Sequence, residues 1–174
     1  WLINNAGISD AAPIKRHSDE MWDRILELNT TAAFRLCRAF VPSMIEKKTG
    51  RVVNIASTAG LSGMPYTHAY CASKHAMVGF TRSMAMELAK TGITVNAVCP
   101  GWVETEMVTA ALERIVRKTG RTQEQAKATL TDPVPQGEFV QPHEVAMVVA
   151  MLCSDGARPI TGQTYAIDGG QIMK

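Results

Sequence analysis

Tyr70 and Lys74 stand four residues apart at the end of a stretch that begins at Ser57 and reads Ser-Thr-Ala-Gly-Leu-Ser-Gly-Met-Pro-Tyr-Thr-His-Ala-Tyr-Cys-Ala-Ser-Lys. The residues after Tyr70 are helical in pattern, and residues four apart on a helix share a face, with Cβ atoms about 5–6 Å apart. A phenol then lies beside an ammonium. A free tyrosine titrates at about 10, and a nearby cation lowers that by about one to three pH units. Such a phenol exchanges a proton near neutral pH, the task of a general acid/base. Ser57, at the end of an apolar strand, offers a hydroxyl to hold a substrate oxygen. Taken alone, Tyr-x-x-x-Lys recurs in many helices as a solvated surface pair, so the surrounding elements must decide between the two readings.

Those elements alternate. Leu2-Ile3-Asn4 reads as the end of a buried strand, with a turn at Asn5-Ala6-Gly7. Ser18 caps a helix with Asp19 and Glu20 in its first turn, where the dipole favours acids. The helix runs to about Lys48, before Gly50, on an apolar stripe of Trp22, Ile25, Leu26, Ala32, Ala33, Leu36, Cys37, Phe40 and Met44. Pro42 bends it late. Asn29 falls inside the stripe, where an unpartnered amide costs about 1–3 kcal/mol; a core Asn satisfied by backbone and a functional Asn are equally open readings. Arg51 to Ser57 is a β-branched strand suited to a sheet covered on both faces. A second helix spans about Ala69 to Lys90, and Ile93 to Cys99 is a further buried strand closed by Pro100-Gly101. From Thr105 to Phe139 the pattern loosens into two short helical pieces split by Gly120, with a basic run of Arg114, Arg117, Lys118, Arg121 and Lys127. A helix starts at Gln141-Pro142 and runs to Leu152, and Gln163 to Ile167 is a last strand before Asp168-Gly169-Gly170.

Alternating buried strands and helices predict an α/β fold: a doubly wound parallel sheet with right-handed crossovers and helices on both faces. Ligands in such sheets bind at the carboxyl ends of the strands. Asn5, Ser57 and Pro100-Gly101 all end strands, and the helix bearing Tyr70 passes the same edge. This convergence favours the functional reading of the Tyr/Lys pair.

The 174 residues are 46% apolar and 20% charged with a net charge of +2, an ordinary globular composition that points to neither nucleic acid nor a membrane surface. No apolar run approaches the roughly 20 residues of a membrane span. Cys37, Cys71, Cys99 and Cys153 are far apart and in apolar surroundings, which predicts buried reduced thiols in a cytoplasmic protein and no metal site.

Asn4-Asn5-Ala6-Gly7, an Asn in the next helix, Ser57, Tyr70-x-x-x-Lys74 thirteen residues on, and Pro100-Gly101 together resemble the short-chain dehydrogenase/reductase family over the whole chain. The resemblance implies a Rossmann-like fold and an NAD- or NADP-dependent interconversion of a ketone and a secondary alcohol. It implies Tyr70 as acid/base, Lys74 as holder of the nicotinamide ribose that depresses the tyrosine pKa, and Ser57 as holder of the substrate oxygen. Asn29 would keep a water linking Lys74 to solvent. Asn5, Ala6 and Gly7 would line the adenosine-ribose side, and Pro100, Gly101, Val103 and Thr105 would flank the nicotinamide. Residues 105–139 would form a substrate lid, whose basic run meets phosphates of an acyl carrier or coenzyme A. Residues 56–107 look most like reductases of 3-oxoacyl thioesters and polyketides, and are also similar to 3-hydroxybutyrate dehydrogenases. A non-catalytic cofactor-binding assembly protein is the alternative of another class. The resemblance also implies a homotetramer, and apolar residues on more than one helix face, Phe34, Phe80 and Met84 among them, agree with an oligomer.

The family's Gly-x-x-x-Gly-x-Gly loop is absent from this chain, which opens inside a strand at Trp1 and matches the family from its fourth strand onward. The expectation is one domain, 1–174, forming the C-terminal part of a longer subunit. By itself it is expected neither to fold stably nor to bind nucleotide, and the choice between NAD and NADP is not legible.

Overall fold

The computed structural model describes residues 1–173. Four parallel strands lie side by side in chain order: β1 Leu2–Asn4, β2 Gly50–Ile55, β3 Ile93–Pro100 and β4 Thr164–Ile167. Leu2 pairs with Val52, Val52 with Val95, and Val98 with Tyr165. The middle strands are buried almost throughout. They carry continuous β-branched runs rather than an alternating pattern because both faces are covered.

The described residues form six α-helices, α1 Asp19–Leu26, α2 Ala32–Glu46, α3 His68–Leu88, α4 Glu106–Thr119, α5 Gln123–Thr131 and α6 Pro142–Cys153, of which α2, α3 and α6 pack on the sheet. Local chemistry sets their ends. Ser18 Oγ accepts from Met21 N at 3.2 Å at the start of α1. Gly120, at φ 69°, takes the left-handed conformation that ends α4. Thr122 with Gln125, and Gln141 with Glu144, form reciprocal caps on α5 and α6.

The helix expected from Ser18 to Lys48 is interrupted. Glu27–Thr31 form a π turn between α1 and α2. The wider turn adds one residue and shifts the phase of everything after it. Ile25, Asn29, Ala33, Cys37 and Val41 are buried, while Leu36 and Phe40, which an unbroken 3.6-residue period also placed on the inner face, are exposed.

Val52, Val95, Ala97 and Cys99 pack against α2 and α3 on one face. Val53 and Val98 pack against Leu152 and Cys153 of α6 on the other. The expectation of uniformly right-handed crossovers fails here. The strands step in one direction with helices on opposite faces, so the three connections cannot share a hand. With the first two right-handed, β3 to β4 is left-handed. That connection runs from Gly101 to Gln163, far longer than the compact βαβ unit whose sterics enforce the rule.

Candidate active site

The strands deliver Asn5–Gly7, Ser57, Pro100–Gly101 and Asp168 to one edge of the sheet. Ser57 is buried and opens a tight turn over Thr58–Gly60, its Oγ accepting from Ala59 N at 3.1 Å. The turn is pressed against α3. A Cβ on Gly60 would lie 2.6 Å from the Lys74 carbonyl oxygen, so only glycine lets strand end and helix approach this closely.

Lys74 is 4% exposed. Its Nζ donates to Ile55 O at 2.8 Å and lies 5.7 Å from the centroid of the Tyr70 ring. Tyr70, partly buried, titrates above the ordinary phenol range. Burial disfavours the phenolate, and hydrogen bonding with Ser57 offsets this in part. The depressed Tyr70 expected from Tyr-x-x-x-Lys is not what this arrangement produces. The ammonium is drawn to a backbone carbonyl and meets the ring's π face, an attraction that acts on the ring whether or not the hydroxyl is ionised. Burial also pushes Lys74 down to about 8. Beneath the pair, Cys99 is fully buried and its thiol is pushed up to about 11, so it stays neutral.

The π turn sets Asn29 into the wall of the site. Its Oδ1 accepts from Ile8 N at 2.8 Å; its Nδ2 donates to Ile8 O at 2.9 Å and to Ser73 Oγ at 3.0 Å. This amide ties the loop after β1 to α3. A Cβ on Gly7 would lie 3.3 Å from Asn29 Oδ1 and 3.4 Å from Lys74 Nζ. Gly7, Asn29, Ser57, Tyr70 and Lys74 are thus brought together. Asn5 and Ala6 stand exposed at the rim. Pro100 is buried at the end of β3, and a Cβ on Gly101 would lie 3.0 Å from Asp168 Cβ. Val103 bridges Val140, and the exposed Thr105 donates to Val103 O at 3.1 Å ahead of α4.

Two supporting groups escaped the sequence reading. Gly60 is one. The other is a buried chain in which Asn4 Nδ2 donates to Asn54 Oδ1 at 2.7 Å and Asn54 Nδ2 to Thr81 Oγ1 at 2.8 Å, tying β1, β2 and α3 together. Asn54, a lone amide inside an apolar strand, was the available signal.

One sugar of a dinucleotide fits beside Lys74 and Gly7. The Lys74 ammonium has three N–H donors and, among the described residues, gives one hydrogen bond, to Ile55 O. The remaining donors match a pair of sugar hydroxyls, and Gly7 leaves the approach clear.

The fold recurs in known proteins. A family profile described as enoyl-(acyl carrier protein) reductase matches residues 1–171. The chain is 43% identical over 174 residues to a D-beta-hydroxybutyrate dehydrogenase of Cupriavidus necator, covering 99% of this chain and 67% of that protein. It is 41% identical over 172 residues to a 3-oxoacyl-acyl-carrier-protein reductase of Vibrio cholerae, covering 99% and 66%. A solved actinorhodin polyketide ketoreductase with NADPH superposes with a TM-score of 0.92 at 44% identity, covering 98% of this chain and 66% of that one. The chain belongs to the short-chain dehydrogenase/reductase family. It spans about two thirds of the length of the relatives it matches.

Proposed function

We propose that the chain carries the proton-transfer side of an NAD(P)-dependent oxidoreductase that interconverts a ketone and a secondary alcohol, of the 3-oxoacyl-thioester reductase type. The observation that carries this reading is a buried lysine lying over the Tyr70 ring, its Nζ 5.7 Å from the ring centroid, at the carboxyl edge of a parallel sheet where the strand ending at Ser57 meets the same helix.

The assigned roles rest on that arrangement. Tyr70, held protonated by its surroundings, gives its phenolic proton to the ketone oxygen during reduction. Ser57 donates a hydrogen bond to the same oxygen, stabilising the negative charge that develops there. Lys74 holds the ribose hydroxyls with its free N–H donors and keeps a positive charge near the phenol. Asn29 positions Ile8 and Ser73 around Lys74. Asn5, Ala6 and Gly7 line the adenosine side of the groove; Pro100, Gly101, Val103 and Thr105 flank the nicotinamide. When bound, the cofactor supplies the hydride to the carbonyl carbon, and the tyrosine proton completes the alcohol.

Residues 105–139 form the lid. The 43% identity to a hydroxybutyrate dehydrogenase supports a second reading, a small 3-hydroxyacid as substrate. We further propose that the chain is the C-terminal part of one Rossmann-like subunit, that the subunit is cytoplasmic, and that it assembles as a homotetramer. The first is supported by Ile3, 40% exposed on the face that α6 covers elsewhere; the second by four free cysteines. Among the described residues no helix is long and apolar enough to cross a membrane.

The test is consumption of NADH and of NADPH by the purified protein with 3-oxoacyl thioesters and with acetoacetate. Turnover of the thioesters supports the leading reading, and preference for acetoacetate supports the second. Cofactor binding without turnover of either supports a non-catalytic role and overturns both.

A further inference from the structure

Residues 105–139 leave the strand-end edge and return to it at one place. Val103 bridges Val140, Glu104 N donates to Val140 O at 2.9 Å, and Val140 N donates to Trp102 O at 2.9 Å. Gln141 Nε2 donates to Glu104 Oε2 at 2.7 Å across the same seam. Between these ends α4 and α5 pack chiefly on each other, joined by Arg121 Nη1 donating to Thr129 Oγ1 at 2.7 Å. Along α4 only Val108 is buried. An element with few buried apolar groups and a single base opens locally at small cost.

One ion pair ties this hairpin to the opposite wall. Arg114 Nη2 of α4 lies 3.4 Å from Asp10 Oδ1 in the loop after β1. Among the described residues it is the only hydrogen bond or ion pair between that loop and α4 or α5. Asp10 is the fixed side of the contact. Its Oδ1 also accepts from Ala11 N at 2.7 Å. Asn29 grips both backbone groups of Ile8, and Ala12 N donates to Tyr66 O at 2.9 Å. Arg114 is the movable side, carried on a hairpin held at its base. The two side chains are 29% and 48% exposed, and an ion pair this exposed shifts an equilibrium by about 5-fold or less. That biases a hairpin towards one position without locking it there.

We infer that the Asp10–Arg114 pair is a latch that holds the lid against the loop after β1, and that substrate and product pass the strand-end edge when it opens. The gating role rests on the oxidoreductase reading above; the latch itself does not. Asp10 follows Asn5–Gly7 on one wall, and α4 follows Thr105 on the other, so the pair spans the edge that holds Ser57 and Tyr70. Arg114 also belongs to the basic run expected to meet carrier phosphates, and the two roles predict opposite effects at Asp10. An arginine that serves phosphate alone is freed when its carboxylate competitor is removed, and substrate then binds no worse. A latch is loosened by the same change, and substrate binds less well.

The experiment is a double-substitution cycle on the purified full-length subunit, with Asp10→Asn, Arg114→Gln and the two together. Asparagine keeps the Oδ1 that accepts from Ala11 N. Hydrogen exchange read by mass spectrometry follows the opening of residues 106–131, with peptides of α2 as the control for an intact fold. Each single substitution speeds exchange of 106–131 by about 2- to 5-fold, the double substitution speeds it no further, and α2 is unchanged. Salt at about 0.5 M speeds it in the unaltered protein and not in the variants. With a phosphate-free 3-oxoacyl thioester, Asp10→Asn raises KM by about 2- to 5-fold without lowering kcat. Unchanged exchange in either single variant, additive effects in the double, or faster exchange that extends to α2 would overturn the latch. Faster exchange with an unchanged or lowered KM would overturn the gating role. If the unaltered protein turns over no ketone, the oxidoreductase reading and the gating role fall together, and the exchange rates still decide the latch.

Discussion

At the scale of single residues, burial sets the protonation states on which the chemistry depends. Lys74 is held down to about 8 because its ammonium is desolvated, while Tyr70 is held above its ordinary value. Below pH 8 the pair is an ammonium and a neutral phenol, and ketone reduction takes its proton from the phenol. As pH rises through about 8 Lys74 loses its charge first. The kcat/KM for reduction is therefore expected to be flat on the acid side of this value and to decline through it, measured by initial rates across pH 6–10, a window placed around the cited value. Lys74→Arg, which stays charged throughout, should react more slowly and show no decline near pH 8. Retention of the decline in that variant would assign it to another group.

At the scale of elements, the site depends on how closely α3 lies against the turn after β2. Gly60 is the point of contact, with 2.6 Å available where a Cβ would meet the Lys74 carbonyl. Gly60→Ala should push α3 away, destabilising the protein by about 1–3 kcal/mol and lowering turnover together; denaturant unfolding and initial rates check it, and an unaffected variant would show that the packing is looser than described. The helices and strands themselves were legible from their periods and caps: Ser18, Gly120 and Gln141-Pro142 mark ends where the structure has them. The π turn was not. It depends on Asn29 reaching Ile8 and Ser73, contacts 21 and 44 residues away in sequence, and no local pattern encodes that. The same holds for the Asn4–Asn54–Thr81 chain and for Gly60, whose requirement lies in a helix not yet placed when the strand is read. Tyr70 and Lys74 were legible as neighbours; the pull of the Ile55 carbonyl on the ammonium was not.

At the scale of the whole molecule, the outer surfaces of α2 and α3 carry exposed apolar groups. Phe34 is 44% exposed, packs edge-on against Phe80 at 6.2 Å, and carries Arg38 over its ring at 5.1 Å. A second copy would cover this face in the proposed tetramer. Phe34→Glu places a charge there and should shift the assembly to smaller species in analytical ultracentrifugation at micromolar concentration. A monomer before substitution, or an unchanged assembly after it, would reject the interface.

The central claim is that Tyr70 moves the proton. The most direct measurement is the turnover of Tyr70→Phe against the unaltered protein with saturating NAD(P)H and a 3-oxoacyl thioester, each shown by circular dichroism to have the same fold. Removing one hydroxyl leaves ring, packing and Lys74 in place. The account predicts a loss of at least ~10²-fold, the usual weight of a general acid/base. Turnover within a few-fold of the unaltered protein would contradict it.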